Sequence, residues 1–166
     1  MSYGAEMESP IGRLLITCTE AGITGLHMEP HPARSAEGGH HALLDRARVQ
    51  LQEYFAGTRT RFELPLAPQG TEFQQAIWKQ LVKIPYGRTA SYGEIADRVG
   101  NPKASRAVGA ANGRNPISVI VPCHRVIGAN GSLTGFGGGL ERKQWLLEHE
   151  RNVAVTGSSV RRSRDA

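Results

Sequence analysis

Residues 71–113, TEFQQAIWKQLVKIPYGRTASYGEIADRVGNPKASRAVGAANG, decide the fold that we expect for this chain. Thr71 with Gln74, and Ser91 with Glu94, have the spacing of a capping box, in which two side chains satisfy the free backbone N–H groups at a helix start. Apolar residues recur at helical spacing after each box, so two helices are predicted.

A third helix is expected directly after these two. Gly100 ends the second helix, Asn101 caps the third, and Pro102 stands at its first position. A turn of about three residues between two helices is typical of a helix-turn-helix, although many unrelated helix pairs share this pattern. Inward positions are predicted on the first and third helices at Phe73, Ile77, Leu81 and Ile84, and at Ala104, Ala107, Val108 and Ala111.

The outer face of the third helix combines small residues with cations. It offers Lys103, Arg106, Gly109, Ala110 and Gly113. Small side chains let a DNA backbone approach closely, and close packing of another helix is the alternative. Residues 98–140 hold five basic side chains and no acidic one. A window of one sign is consistent with a polyanionic partner, most simply nucleic acid, and equally with an ordinary basic surface, so charge alone does not decide between them.

The residues before the capping boxes predict a small α/β scaffold domain over residues 1–67. Residues 12–29, GRLLITCTEAGITGLHME, predict two strands around a turn at Glu20–Gly22, with Cys18 as a core thiol. Residues 42–57 predict a helix that ends at Gly57. Residues 61–70, RFELPLAPQG, predict a strand followed by a linker.

The second domain is predicted over residues 71–152. Its last helix is expected in ERKQWLLEHE, residues 141–150. Residues 153–166 are polar and basic, and we expect a disordered tail there.

The composition of the chain indicates the cellular compartment in which we expect it. The chain of 166 residues contains two cysteines, which favours a reducing environment over a disulfide scaffold. It has neither an apolar run of about 18 residues nor a basic start followed by an apolar stretch, so no membrane span and no secretory signal are predicted. We therefore expect a cytoplasmic protein.

The polar loop at residues 29–41, EPHPARSAEGGHH, contains His31, His40 and His41. Three histidines raise the question of a metal site. No cysteine lies near them, and their spacing matches no standard zinc pattern. A plain loop is the preferred interpretation, and no metal or cofactor is predicted.

Residues 119–127, VIVPCHRVI, place a thiol and an imidazole side by side in an apolar run. Four of the five residues 117–121 are β-branched, which predicts a buried strand that Pro122 ends. An imidazole that takes the thiol proton, directly or through one water, makes the thiolate reactive. Adjacent side chains of an extended chain point apart, so His124 reaches Cys123 only if the chain curls into a helical turn after Pro122.

A third group is expected to orient the imidazole. Glu148 and Glu150 both lie near the end of the last helix, and Glu150 better shares the face of Leu146 and Leu147. Glu150 is therefore the predicted partner of His124. The alternative is a buried cysteine beside a surface histidine.

These residues resemble the signature of a known family. VPCHRV, residues 121–126, is similar to the motif of the methylated-DNA–protein-cysteine methyltransferases, also called O6-alkylguanine-DNA alkyltransferases. FQQAIWKQLVKIPYGRTASYGEIA (73–96), NPKASRAVGAANGRNP (101–116) and GFGGGLERKQWLLEHE (135–150) also resemble the family pattern, in order and at compatible spacing. The resemblance is strong over residues 71–150 and looser before them.

The resemblance implies a ribonuclease-H-like α/β first domain and a mainly α second domain with a winged-helix-like helix-turn-helix. It implies direct-reversal repair, in which one alkyl group passes irreversibly from O6-alkylguanine, or O4-alkylthymine, in double-stranded DNA to the protein. The damaged base is flipped from the minor groove, and no cofactor and no membrane take part. A monomer is expected, with clustering on DNA left open.

The resemblance also implies roles for single residues. Cys123 is the alkyl acceptor, His124 is its base through a water, and Glu150 orients His124. Tyr92 meets the flipped phosphate and the guanine edge, and Asn115 supports the thiol.

Other implied roles concern DNA. Arg106 fills the stack in place of the flipped base. Further DNA contacts are implied for Gly93, Asn101, Lys103, Ser105 and Ala129. Gly135, Phe136 and Gly137 belong to the loop that closes over the base. Many relatives have Tyr where this chain has Phe136, so the ring can stack but a hydroxyl contact is lost.

Two other functions stay open from the residues alone. One is a Cys–His–Glu hydrolase that forms an acyl-enzyme, turns over repeatedly and needs an oxyanion hole. The other is a helix-turn-helix regulator with Cys123 as a redox sensor, which needs a defined operator and no base chemistry.

Overall fold

The computed structural model describes residues 2–30, 39–133, 136 and 138–165. Three antiparallel strands begin the chain, β1 (Tyr3–Met7), β2 (Leu14–Thr19) and β3 (Gly22–Met28), in that order across the sheet. The predicted hairpin of β2 and β3 is confirmed, and β1 is an additional strand paired to β2. Cys18 is fully buried, as predicted for a core thiol.

Helix α1 (Ala42–Ala56) packs against this sheet through its apolar face. Gly57 ends the helix with φ of 82°, a left-handed conformation that glycine adopts without strain, so the predicted stop is confirmed. His41 caps its start, because its Nδ1 accepts a hydrogen bond from the backbone N–H of Leu43 at 3.0 Å. His40 lies 3.0 Å from Asp45 on the surface, and His31 lies outside the described residues.

The strand predicted within residues 61–70 is wrong. This segment makes a single parallel bridge, between Leu66 and Ile23. Pro65 and Pro68 each lack a backbone N–H, which limits the ladder that the segment can form.

The second part of the chain contains helices α2 (Glu72–Val82), α3 (Tyr92–Arg98), α4 (Ser105–Gly113) and α5 (Leu140–Asp165). Both predicted capping boxes are formed, at Thr71 and at Ser91. Short strands β4 (Ala90–Ser91) and β5 (Val126–Ile127) pair in parallel. Ile77, Leu81 and Ile84 are buried as predicted, whereas Phe73 is 36% exposed.

The predicted start of the third helix is wrong. Helix α4 begins at Ser105, and residues 101–104 form a turn in which the N–H of Ala104 donates to the carbonyl of Asn101 at 3.0 Å. No side chain caps α4, and six residues rather than three separate it from α3. Val108 and Ala111 face the core, while Ala104 is half-buried and Ala107 is exposed.

The strand predicted for residues 117–121 is also wrong, although the segment is largely buried. It forms tight turns, in which the N–H of Val121 donates to the carbonyl of Ile117 at 2.9 Å. Val119 has φ of 70°, which a β-branched residue rarely adopts. In the part of the chain that the structure describes, the one strand contact of this segment is a parallel bridge from Ile117 to Leu26 of β3.

Helix α5 is longer than predicted. Residues 153–166 were expected to be disordered, whereas α5 continues to Asp165. The segment contains no proline, and each residue added to an existing helix gains a hydrogen bond for the backbone it fixes. Within the described ranges, no helix is both long and apolar enough to span a membrane.

Candidate active site

Cys123 opens a short 3-10 turn, Cys123–Arg125, directly after Pro122. The chain therefore curls into a helical turn after Pro122, which is the condition that the sequence set for His124 to reach Cys123. The N–H of Cys123 donates to the carbonyl of Val121 at 2.8 Å, and the side chain is almost fully buried. The thiol is thus mounted on a short, tightly folded segment.

The side-chain amide of Asn115 hydrogen-bonds to the backbone of the segment that precedes Cys123. Its Oδ1 accepts from the N–H of Ile117 at 3.0 Å, and its Nδ2 donates to the carbonyl of Val121 at 2.9 Å. Asn112 adds a longer contact, from Nδ2 to the carbonyl of Cys123 at 3.4 Å. Side-chain hydrogen bonds therefore bridge the turn around Val119, and they stabilise its strained backbone conformation.

His124 is completely buried and lies against Glu150, with 2.7 Å between Nε2 and Oε2. The structure thus brings His124 together with the predicted carboxylate, while Glu148 is exposed. Arg125 forms a two-pronged pair with the same carboxylate, from Nε to Oε1 at 2.7 Å and from Nη2 to Oε2 at 2.9 Å. Its Nη1 donates to the carbonyl of Ile84 at 2.7 Å.

These contacts determine the charge of each group. Burial acts to raise the pKa of Glu150, but hydrogen bonds from His124 and Arg125 outweigh it and hold that pKa far below its usual range. Burial lowers the pKa of His124, and the hydrogen bond that His124 donates to Glu150 opposes this effect. Glu150 and Arg125 already neutralise each other, so we assign an ionised Glu150 and a neutral His124 near pH 7.

The tautomer of His124 follows from this assignment. An ionised carboxylate only accepts hydrogen bonds, so Nε2 carries the proton and Nδ1 is the basic nitrogen. Among the described residues, Nδ1 of His124 has no hydrogen-bond partner. The imidazole is thus oriented as a proton acceptor.

The thiol of Cys123 needs such an acceptor. Burial raises its pKa, while a hydrogen bond from Asn115 and the charge of Lys143 act in the opposite direction. Lys143 is itself buried, and its Nζ donates to the carbonyl of Val126 at 2.6 Å. Burial lowers the pKa of this ammonium, and the charge of Cys123 opposes that effect.

Sequence reasoning missed three groups of this cluster. Lys143 precedes Leu146, Leu147 and Glu150 at helical spacing. The periodicity that identified Glu150 therefore also predicts that Lys143 lies on the inner face of the helix. A charged residue such as Arg125 in an apolar run also signals a buried partner. Tyr54, whose hydroxyl donates to Oε2 of Glu150 at 2.6 Å, gave no signal, because it comes from α1.

The residues implied for DNA contact belong mainly to α3, to α4 and to the turn between them. Tyr92 and Gly93 open α3 and are half-buried, and Arg106 is exposed on α4. Asn101, Lys103 and Ala129 are exposed, and Ser105 is half-buried at the start of α4. Phe136 is half-buried, whereas Gly135 and Gly137 lie outside the described residues.

Comparison with known families covers nearly the whole chain. A model described as 6-O-methylguanine DNA methyltransferase, ribonuclease-like domain, matches residues 3–68. A second, described as 6-O-methylguanine DNA methyltransferase, DNA binding domain, matches residues 72–152.

The chain belongs to the 6-O-methylguanine DNA methyltransferase family.

Two methyltransferases of this family are similar to the chain over most of their length. The methylated-DNA–protein-cysteine methyltransferase of Mycobacterium bovis is 51% identical over 93% of this chain and 95% of its own. That of Methanosarcina acetivorans is 49% identical over 89% and 97%. The architecture is therefore that of this family, with a ribonuclease-like first domain and a DNA-binding second domain.

Solved structures of the family superpose well. The Mycobacterium tuberculosis O6-methylguanine methyltransferase has a TM-score of 0.84 at 48% identity, covering 92% of this chain and 94% of that one. The Mycobacterium tuberculosis OGT in complex with DNA has a TM-score of 0.84 at 49% identity, covering 91% and 94%.

The free energy of unfolding at low pH should depend on the ionisation of Glu150, which is paired with His124 and Arg125. The folded pKa of Glu150 is depressed, so its contribution is complete above the unfolded value of about 4.3 and is lost as pH falls toward the folded pKa. Glu150→Gln should lower the free energy of unfolding at pH 7 by about 3 kcal/mol, because Arg125 loses its charged partner. It should also flatten the acid-side decline.

Urea unfolding from neutral to acid pH measures both effects. Glu148→Gln is the matched control on the same helix, since Glu148 is exposed and accepts from Gln144 at 3.0 Å. Its effect should stay within about 0.5 kcal/mol. Equal losses for the two variants would contradict the assigned buried charge.

Proposed function

We propose that this protein repairs O6-alkylguanine in double-stranded DNA by moving the alkyl group irreversibly to Sγ of Cys123. The observation that carries the proposal is the buried thiol followed by a buried histidine whose Nε2 lies 2.7 Å from Oε2 of Glu150. Family membership supports the same reaction, because the named relatives are methylated-DNA–protein-cysteine methyltransferases. O4-alkylthymine, which presents a similar alkylated oxygen, is the expected second substrate.

The reaction begins with the thiol proton. Nδ1 of His124 accepts that proton, through one water, and the imidazolium is stabilised by Glu150. The sulfur lone pair then attacks the alkyl carbon in line, so a C–S bond forms as the bond from carbon to O6 breaks. The electron pair of the broken bond stays on the guanine.

The guanine must leave with little charge. A hydroxyl donor at its edge lowers the barrier by protonating or hydrogen-bonding the departing base. Tyr92, at the start of α3, is placed for this role in our account. The product thioether is not a leaving group, so each protein molecule reacts once.

We assign DNA binding to α3 and α4, interpreted as a helix-turn-helix with α4 as the second helix of the motif. Support comes from the exposed outer face of α4, which offers Arg106, Ala110 and Gly113 to a partner. In this account, α4 enters the minor groove and Arg106 fills the space of the flipped base. Flipping costs a few kcal/mol, which the inserted side chain partly offsets.

Other residues of this face make supporting contacts. Lys103 supplies a charge that binds phosphate with an affinity that falls as salt rises. Gly93, Asn101, Ser105 and Ala129 complete the proposed DNA contacts. Phe136 flanks the flipped base, together with Gly135 and Gly137. We place the reaction in the cytoplasm, with the protein acting as a monomer and without a cofactor.

The fate of the methyl group tests the proposal directly. A duplex with radiolabelled O6-methylguanine should transfer one methyl per chain, located on Cys123 by peptide mass analysis. Cys123→Ala should take up none and still bind DNA, whereas Cys18→Ala should react like the wild type, since Cys18 lies in the core of the first domain. Repeated turnover, or label on another residue, would refute the assignment and favour a hydrolase.

The role of Arg106 is separable from the chemistry. Arg106→Ala should slow repair of duplex DNA by at least about tenfold, because the flipped state loses the inserted side chain. Reaction with free O6-benzylguanine, which needs no flipping, should change little. Arg114→Ala removes another exposed cation near α4 and serves as the charge control. Equal losses on duplex and free base would contradict the flipping role.

A further inference from the structure

The carboxylate of Glu150 accepts a hydrogen bond from Tyr54, a residue that has no role in the reaction described above. Its Oε2 atom lies 2.7 Å from Nε2 of His124 and also accepts from the hydroxyl of Tyr54 at 2.6 Å. Tyr54 belongs to α1 in the first domain, 96 residues before Glu150. One side chain therefore connects the first domain to the group that orients the catalytic base.

Contacts of both its ring and its backbone fix the position of Tyr54. It is completely buried, and its ring contacts those of Phe55, Phe62, Tyr86 and His149 at centroid distances of 5.2, 5.5, 6.1 and 5.4 Å. Its backbone carbonyl lies 2.8 Å from Nε2 of His149 on α5. The hydroxyl thus has a defined position relative to α5, which carries Glu150.

Packing alone does not require this hydroxyl. A phenylalanine ring would fill the same apolar space, and a buried hydroxyl costs free energy unless it has a partner. Burial and the neighbouring Glu150 raise the pKa of Tyr54 well above its usual value, so it remains a donor. The hydroxyl is therefore explained by what it does to Glu150.

We infer that Tyr54 is a positioning residue for the alkyl transfer, and that the first domain completes the Cys123–His124–Glu150 relay through its hydroxyl. This inference rests on the proposed function, because it assigns Tyr54 to the same reaction. Tyr54 does not touch the reacting atoms and acts through Glu150.

The hydroxyl acts on His124 in two ways. It restrains the carboxylate, so that the N–H at Nε2 stays directed at Oε2 and the ring keeps its orientation. It also shares the negative charge of Oε2, so the carboxylate stabilises an imidazolium less. Loss of the hydroxyl therefore slows transfer through misorientation and raises the pKa of His124, which moves the acidic limb of the rate profile to higher pH.

Several charged or titratable groups surround His124, and each variant of the test changes one of them. They are Glu150 and Lys143 from α5, Cys123 and Arg125 from its own turn, and Tyr54 and Tyr86 beyond the carboxylate. Tyr86 supplies the matched control. Its hydroxyl is buried and, among the described residues, has no hydrogen-bond partner, while its ring lies 5.5 Å from the guanidinium carbon of Arg125.

The experiment compares Tyr54→Phe with Tyr86→Phe in the full chain. Single-turnover transfer of labelled methyl from duplex DNA is followed across the range in which histidine titrates, about pH 5 to 8. Rates are expressed per folded chain, with the folded fraction taken from circular dichroism. Tyr54→Phe should be slower by about tenfold, as for one hydrogen bond to a charged group, with its acidic limb at higher pH. Tyr86→Phe should match the wild type in both.

Two results would overturn the inference. In the first, Tyr54→Phe keeps the wild-type rate and profile. In the second, it loses rate with an unshifted profile, as a purely structural defect would. A wild-type protein that takes up no methyl would instead refute the proposed function, so the two failures are distinguishable.

A double variant tests the route through Glu150. If Tyr54 acts through the carboxylate, Tyr54→Phe should change the rate of Glu150→Gln by less than about twofold, because the two losses are coupled. A further tenfold loss in that background would show that Tyr54 acts independently of Glu150, and would contradict its positioning role.

Discussion

The buried carboxylate of Glu150 is the interaction on which the site depends. It receives two bonds from Arg125, one from His124 and one from Tyr54, so four hydrogen bonds converge on two oxygens. A charge buried this deeply is tolerated only when it is paired and hydrogen-bonded. Removing one partner of such a pair costs about 3–5 kcal/mol, which ties the helix that carries Glu150 to the turn that carries the thiol.

The first domain contacts the candidate active site at two places. On one side, the N–H of Leu26 in β3 donates to the carbonyl of Pro116 at 2.9 Å, next to the parallel bridge that ends at Ile117. This contact fixes the beginning of the segment that leads to Cys123. On the other side, Tyr54 fixes Glu150. The first domain, predicted as a scaffold, thus contacts both the start of the segment that leads to Cys123 and the carboxylate of Glu150.

Local rules explain which predictions succeeded. The capping boxes at Thr71 and Ser91, the stop at Gly57 and the hairpin of β2 and β3 depend on residues close in sequence, and each was predictable. Helical spacing also identified the face that presents Glu150. The resemblance in VPCHRV and its neighbouring motifs led to the family, which similarity over nearly the whole chain confirms.

The failures lie where tertiary contacts override local preference. Four of the five residues 117–121 have β-branched side chains, but the segment forms turns, because Asn115 bonds to the backbone on both sides of Val119. Helix α4 starts late, since residues 101–104 form a turn of their own. The contact of Tyr54 with Glu150 joins residues far apart in sequence, and no periodicity within one segment reports such a pair.

The central claim is that burial keeps His124 neutral while Glu150 holds its proton on Nε2, which leaves Nδ1 to accept the thiol proton. Nitrogen-15 NMR of the histidine side chains reads this state directly in the unmodified protein, with His124→Asn used to assign the signal. The account predicts a protonated Nε2 and an unprotonated Nδ1 for His124 at pH 7. A proton on Nδ1, or on both nitrogens, would contradict it.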